Sequence, residues 1–279
     1  MTVFDEPKID SHCHVLDPAR FPYAPDVAYR PAGQEQGGID EYLQVMEAYG
    51  IRRALLVGPN SGYGTDNRCL LDALARAPER LRGIAFVGLD TPDEELHALQ
   101  ARGVIGLALN ATVLGVAHCL RAGPLLRRAA TLGLRLSLQV EHDQLVALRP
   151  LVEDSGVRTL VDHGGRPDPA RGVDQPGFRA LLAMARNGRT AVKLSGWQKF
   201  SRLPQPWPDT RPFADALLEA FTVDACLWAS DWPFLRAPQR LDVGPLLGHA
   251  ERLLPDPAER RRLFWDTPCR WLGFDPEET

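Results

Sequence analysis

The stretch Gly103–Val140, GVIGLALNATVLGVAHCLRAGPLLRRAATLGLRLSLQV, reads as strand, helix, strand. Gly103–Asn110 is a short apolar run, Gly123–Leu132 carries a helical pattern, and Leu134–Val140 is apolar again. Gly133 stands between the last two, where a helix would stop. Two strands joined by such a helix lie parallel. The unit repeats on both sides. Strand-like runs precede it at Lys8–His14, Arg53–Val57 and Gly83–Val87 and follow it at Val157–His163, Thr190–Ser195 and Cys226–Asp231. Helical patterns separate them at Ile39–Tyr49, Asn67–Ala77, Asp93–Arg102, Gln144–Asp154, Gly177–Asn187 and Pro212–Ala220. Thr91-Pro92 before Asp93 predicts a helix start, with Thr91 as cap and Pro92 in the first turn. Eight strand–helix repeats predict an α/β chain forming a single (β/α)8 TIM barrel domain over 1–279. An open doubly wound sheet is the alternative. The 279 residues match the roughly 250 that such a barrel needs.

Composition narrows the function. Hydrophobic residues make up 44% and charged residues 24%, which suits a globular chain with a substantial core. The net charge is −4 and there is no strongly basic stretch beyond Arg260-Arg261-Arg262, which reads as a solvated face, so nucleic acid is not an expected partner. No apolar run approaches the roughly 18 residues of a membrane span, and Met1–Lys8 has no signal-peptide core. Cys13, Cys69, Cys119, Cys226 and Cys269 form no C-x-x-C pair, which points to reduced thiols in a cytoplasmic compartment. The sequence carries no signature of an oligomeric state. Three proline-rich loops, Pro18–Pro31, Arg166–Pro176 and Leu203–Pro212, each follow a strand and are expected to shape a pocket. The tail Pro255–Thr279 reads as a final helix beneath the barrel.

A barrel places its chemistry at the carboxyl ends of its strands, and His14, His163 and Asp231 fall there. The first strand ends Ile9-Asp10-Ser11-His12-Cys13-His14. Alternation puts Asp10, His12 and His14 on one face and Cys13 on the other. Converging imidazoles suit a metal, or an oxygen that gains negative charge during a reaction. In Val161-Asp162-His163-Gly164-Gly165-Arg166-Pro167 a strand runs into a Gly-Gly turn that permits a sharp bend beside His163. Trp228-Ala229-Ser230-Asp231-Trp232-Pro233 delivers a carboxylate at the end of an apolar strand. Such a carboxylate needs a metal, an imidazolium or a bound water to offset desolvation. Lys193 shares a face with Ser195 and is expected inside the barrel as a paired charge. Arg68 reads as an ion-pair partner, and Arg166 stands where it would meet an anion.

These motifs resemble the amidohydrolase superfamily, specifically its branch of 2-pyrone-4,6-dicarboxylate lactonase-like hydrolases. The resemblance covers nearly the whole chain. It runs in order through Asp10-Ser11-His12-Cys13-His14, Phe21-Pro22-Tyr23-Ala24-Pro25, Gly64-Thr65-Asp66-Asn67, Asp162-His163-Gly164-Gly165-Arg166-Pro167, Val192-Lys193-Leu194-Ser195-Gly196 and Ser230-Asp231-Trp232-Pro233. It implies a barrel that hydrolyses a small-molecule lactone or similar activated cyclic ester. Asp231 would be the general base for the attacking water, and His12, His14 and His163 would polarise the carbonyl and stabilise the oxyanion. Tyr29, Ser61 and Lys199 match substrate-facing positions. Members close to the pyrone lactonase work without a metal, so no cofactor is required. The alternative is one divalent ion, zinc or manganese, on His12, His14 and Asp231. The fourth strand ends Gly106-Leu107-Ala108-Leu109-Asn110, with no lysine for a carbamate bridge and no acid, which argues against a binuclear centre.

The departures narrow the substrate. Ala108 stands where the pyrone lactonase pattern has an arginine that grips a substrate carboxylate, and Ala111–Ala117 has no second arginine. Lys199 replaces another arginine, and Phe234 stands where a histidine often follows Asp-Trp-Pro. A lysine is no equivalent of a bidentate guanidinium. Fewer cations imply a substrate less anionic than 2-pyrone-4,6-dicarboxylate: a monoanionic, sulfonated or neutral sugar lactone. A zinc-dependent decarboxylase of the same superfamily is the competing reading. Trp197 and Trp232 would line the pocket or fill space between barrel and loops.

Overall fold

A computed structural model describes residues 2–27 and 29–277. Its strands are β1 Lys8–Cys13, β2 Ile51–Val57, β3 Leu81–Ala85, β4 Val104–Asn110, β5 Arg135–Gln139, β6 Arg158–Val161, β7 Thr190–Leu194 and β8 Cys226–Trp228. All pairs are parallel and each strand bonds the next in chain order. The ring closes just past β8, where Asp231 N–H donates to His12 O (2.8 Å) and His14 N–H donates to Trp232 O (2.7 Å). Each strand is followed by a helix: α1 Ile39–Ala48, α2 Arg68–Arg76, α3 Asp93–Ala101, α4 Gly123–Thr131, α5 Gln144–Ser155, α6 Pro176–Met184, α7 Arg211–Phe221 and α8 Val243–Leu253. The fold is therefore the (β/α)8 barrel and not the open sheet.

Both faces of the strands are covered, which is why they are apolar almost throughout. Ile9, Leu55, Ile84, Leu160, Ala191 and Leu227 fill the lower barrel and meet Trp265 and Leu272 of the C-terminal segment. Cys13, Leu56, Leu107, Val161 and Val192 face the other way, into the layer beneath the helices. The tail does plug the barrel floor, but not as one helix. A π-turn at Arg262–Asp266 separates Pro257–Arg261 from Thr267–Leu272.

Three local expectations need correction. Thr91 does not cap α3: Pro92 holds the cap position and no side chain bonds there. Strict alternation fails in β1, whose register slips between Asp10 and Cys13. Asp10 turns toward the helices and accepts from Tyr42 Oη of α1 (2.8 Å), while His12 turns inward. A bulge of this kind resets which residues share a face. Finally, β6 and β8 end before the candidate residues they were expected to carry, so His163 and Asp231 stand on turns, both with positive φ (53° and 63°).

Candidate active site

His12, His14, His163 and Asp231 meet at the carboxyl end of the barrel. Nε2 of His163, His14 and His12 lies 3.6, 3.7 and 3.9 Å from Asp231 Oδ1. Holding two of these four residues in the left-handed region costs of order 1 kcal/mol each. Asp231 is fully buried, yet its Oδ1 accepts no hydrogen bond. Its other oxygen, Oδ2, accepts from Lys199 Nζ (2.9 Å) and Gln198 Nε2 (3.3 Å). Burial alone would raise the Asp231 carboxyl, but the Lys199 ammonium beside it outweighs burial and holds the group well below the usual carboxylate range.

Each imidazole is oriented through its second nitrogen. His14 Nδ1–H donates to Val57 O (2.7 Å), and His163 Nδ1 meets Ser195 Oγ (3.0 Å). His12 Nδ1 lies 3.0 Å from Lys193 Nζ and 3.4 Å from Asp162 Oδ1. Lys193 is fully buried and pairs with Asp162 (2.8 Å) and Ser137 Oγ (3.1 Å). An ammonium only donates, so His12 Nδ1 accepts from it and the proton sits on Nε2, facing the site. Burial, aided by Lys193, lowers His12 to about 4, and burial lowers His163 well below its ordinary value. Both rings are neutral at pH 7.

The residues fit one divalent ion. The donor atoms of His12, His163 and Asp231 lie within 4.8 Å of one another, so a small inward movement would bring them to the distance of about 2.0–2.2 Å that a single zinc requires. His14 Nε2 stands beside them, 3.2 Å from His12 Nε2. Ligation through His12 Nε2 would move that ring's proton to Nδ1, where Asp162 Oδ1 is the acceptor.

Above the cluster opens a cleft of about 690 Å³. Ser61 lines it, in an extended turn after β2, and so does Lys199, although the Lys199 ammonium is bonded to Asp231. Tyr29 is placed differently: its hydroxyl bonds Glu35 and its ring lies under the Arg236 guanidinium, itself on the cleft wall. Among the proline-rich loops, Arg166–Pro176 contributes Arg166, while the lining from 18–31 and 203–212 includes no described residue. Trp197 and Trp232 are buried and pack against His249 and Tyr42. Arg68 is paired with Asp66 (2.7 Å).

Sequence reasoning passed over Ser137, Gln198 and Arg236 and left Asp162 without a role. Alternation was a usable signal for two of them. Leu160 points inward, so Asp162 does too, and Ser137 precedes Gln139, another cleft residue, on the same face of β5. Arg236 lies on a loop whose course no periodicity encodes.

An amidohydrolase family model matches residues 9–274. The chain is 34% identical over 271 residues to a 4-sulfomuconolactone hydrolase of Rhizobium radiobacter, covering 95% of this chain and 89% of that one. It is 28% identical over 284 residues to a 2-pyrone-4,6-dicarboxylate hydrolase of Comamonas testosteroni, covering 97% and 90%. A crystal structure from Acinetobacter baumannii, described as a probable 2-pyrone-4,6-dicarboxylic acid hydrolase with citric acid bound, superposes with a TM-score of 0.87. The identity is 24% and the coverage 96% and 99%. That last likeness concerns the fold.

Proposed function

The chain belongs to the amidohydrolase family, and we propose that it is a lactone hydrolase with Asp231 as its general base. The observation that carries this reading is the buried, unpartnered Asp231 Oδ1 ringed by three imidazole Nε2 atoms at the floor of an open cleft. The named relatives that match nearly the whole chain support it over the decarboxylase reading.

In the mechanism, a water held by His14 Nε2 and Asp231 Oδ1 attacks the lactone carbonyl carbon. Its proton passes to Asp231. Charge gathers on the carbonyl oxygen, where His12 Nε2–H donates, and His163 does so when its Nε2 carries the ring proton. The ring C–O bond then breaks, the leaving alkoxide takes the proton from Asp231, and a hydroxy acid is released. Lys199 keeps Asp231 ionised before the attack. A divalent ion, when bound by His12, His163 and Asp231 with His14 beside them, would add Lewis-acid polarisation of the carbonyl.

Proton release measured with a pH indicator, against a panel of lactones and without added metal, tests the reading. Turnover is expected for at least one lactone, with Asp231→Asn slower by about 10³-fold. Full activity in Asp231→Asn, or no turnover across the panel, would overturn it.

A further inference from the structure

We propose that Arg236 and Arg166 form a subsite for a single anionic group, a carboxylate or a sulfonate, carried by the lactone; this rests on the lactonase reading above. The cleft has three cations on the arc from β6 to β8. Lys199 is bonded to the general base. Arg166 pairs with Glu141 through one terminal nitrogen (3.2 Å), but its buried Nε has no hydrogen-bond partner. Arg236 lines the cleft and has no ion pair with any described carboxylate.

Arg236 is nevertheless held in place. Its guanidinium lies 5.3 Å from the centroid of the Tyr29 ring, and its backbone, at φ 56°, donates its N–H to Glu35. Glu35 also accepts from the Tyr29 hydroxyl, so the loop after β1 carries both the platform and the anchor for a cation on the loop after β8. A guanidinium fixed on an aromatic face and lacking an anion presents its fork to a planar or tripodal oxyanion. Arg166 adds its charge to the same arc, met by a single carboxylate, Glu141. The facing arc, from β2 to β5, offers Asn60, Ser61, Asn110 and Gln139 together with the acid Glu141, the partner of Arg166, and no unpaired cation among the described residues. Positive charge without a partner lies on the β6–β8 arc, so the substrate carries its one charge on the side of the ring toward β6–β8.

The test compares kcat/KM for a carboxymethyl-substituted butenolide with that for its neutral carboxamide. The ratio of anionic to neutral is expected to fall about 10–100-fold in Arg236→Ala, with partial recovery in Arg236→Lys. Calorimetry with inert probes, cyclopentaneacetate, cyclopentanemethanesulfonate and cyclopentaneacetamide, reads the subsite without turnover. The two anions should bind the wild type and lose affinity in Arg236→Ala, and their relative affinities distinguish carboxylate from sulfonate. An unchanged ratio with unchanged anion binding would overturn the subsite, as would equal losses for anion and amide. If the wild type opens no lactone, the lactonase reading fails, while the calorimetry still decides the subsite.

Discussion

At the scale of single residues, Lys193 is the side chain whose place most needs an explanation. Its three protons meet three acceptors, Asp162 Oδ1, His12 Nδ1 and Ser137 Oγ, with no exposure to solvent. A buried ion pair is weak evidence of stabilisation, because desolvation offsets much of the attraction. What the pair does do is fix the His12 tautomer, which under the proposed mechanism would make Lys193 a positioning residue. Lys193→Met leaves Asp162 buried without its partner and should destabilise the fold by about 3–5 kcal/mol in urea titrations. Adding Asp162→Asn should restore more than half of that stability. Activity should not return with it: kcat in the double variant is expected to stay about 10²-fold low, because His12 has lost the group that sets its proton. A stable double variant with wild-type kcat would reduce the pair to a structural role.

At the scale of elements, the site depends on turns that leave the strands. Gly196, after β7, has φ 64°, and a Cβ there would lie 2.5 Å from His163 Nδ1. Gly196→Ala should cost about 1–2 kcal/mol from the left-handed backbone, and the contact should push His163 off Ser195. We expect kcat to fall at least ~10-fold while the circular dichroism spectrum is unchanged; a variant with normal kcat would show that His163 tolerates displacement. These turns also mark where the sequence stopped being readable. Period-two alternation placed Lys193 beside Ser195 on the inner face of β7, and apolar runs located all eight strands, because covered parallel strands are apolar whatever follows them. It failed at Asp10, where the register slip is a property of the β1–β2 pairing and not of either strand alone. His163 and Asp231 were singled out as candidates, but their left-handed backbones were not, since the enrichment of Asp and His at positive φ is too weak to mark two positions. The β8 loop that carries Arg236 is positioned by Glu35 and Tyr29, some two hundred residues earlier in the chain, and a local reading has no access to that contact.

At the scale of the whole molecule, placing neutral imidazoles inside the barrel ties stability to pH. His12 is lowered by burial and Lys193 to about 4, His163 is lowered well below its ordinary value by burial, and burial lowers His249, beside Trp197 and Trp207, to about 4. In the unfolded chain all three titrate near 6.5. Between about pH 4 and 6.5 the unfolded state therefore binds three protons that the native state does not, and stability rises with pH. Asp10 works in the opposite sense. Burial raises it to about 6, so between about pH 4 and 6 the native state holds a proton that the unfolded state has lost. The difference is two net protons taken up on unfolding, or about 2.7 kcal/mol of stability lost per pH unit on acidification from 6 to 4.5. Below about pH 4 the depressed carboxyls of Asp162 and Asp231 add to the loss, since they stay ionised in the native state after their unfolded counterparts have protonated. Urea midpoints at pH 7.5, 6, 5 and 4.5 measure the slope. His163→Asn removes one of the three imidazoles, leaves one net proton from His12 and His249 against Asp10, and should roughly halve the slope between pH 4.5 and 6. A wild-type profile that is already flat over that range would mean that the barrel accepts charged imidazoles, and the neutral His12 donor assigned to the oxyanion would have to be abandoned.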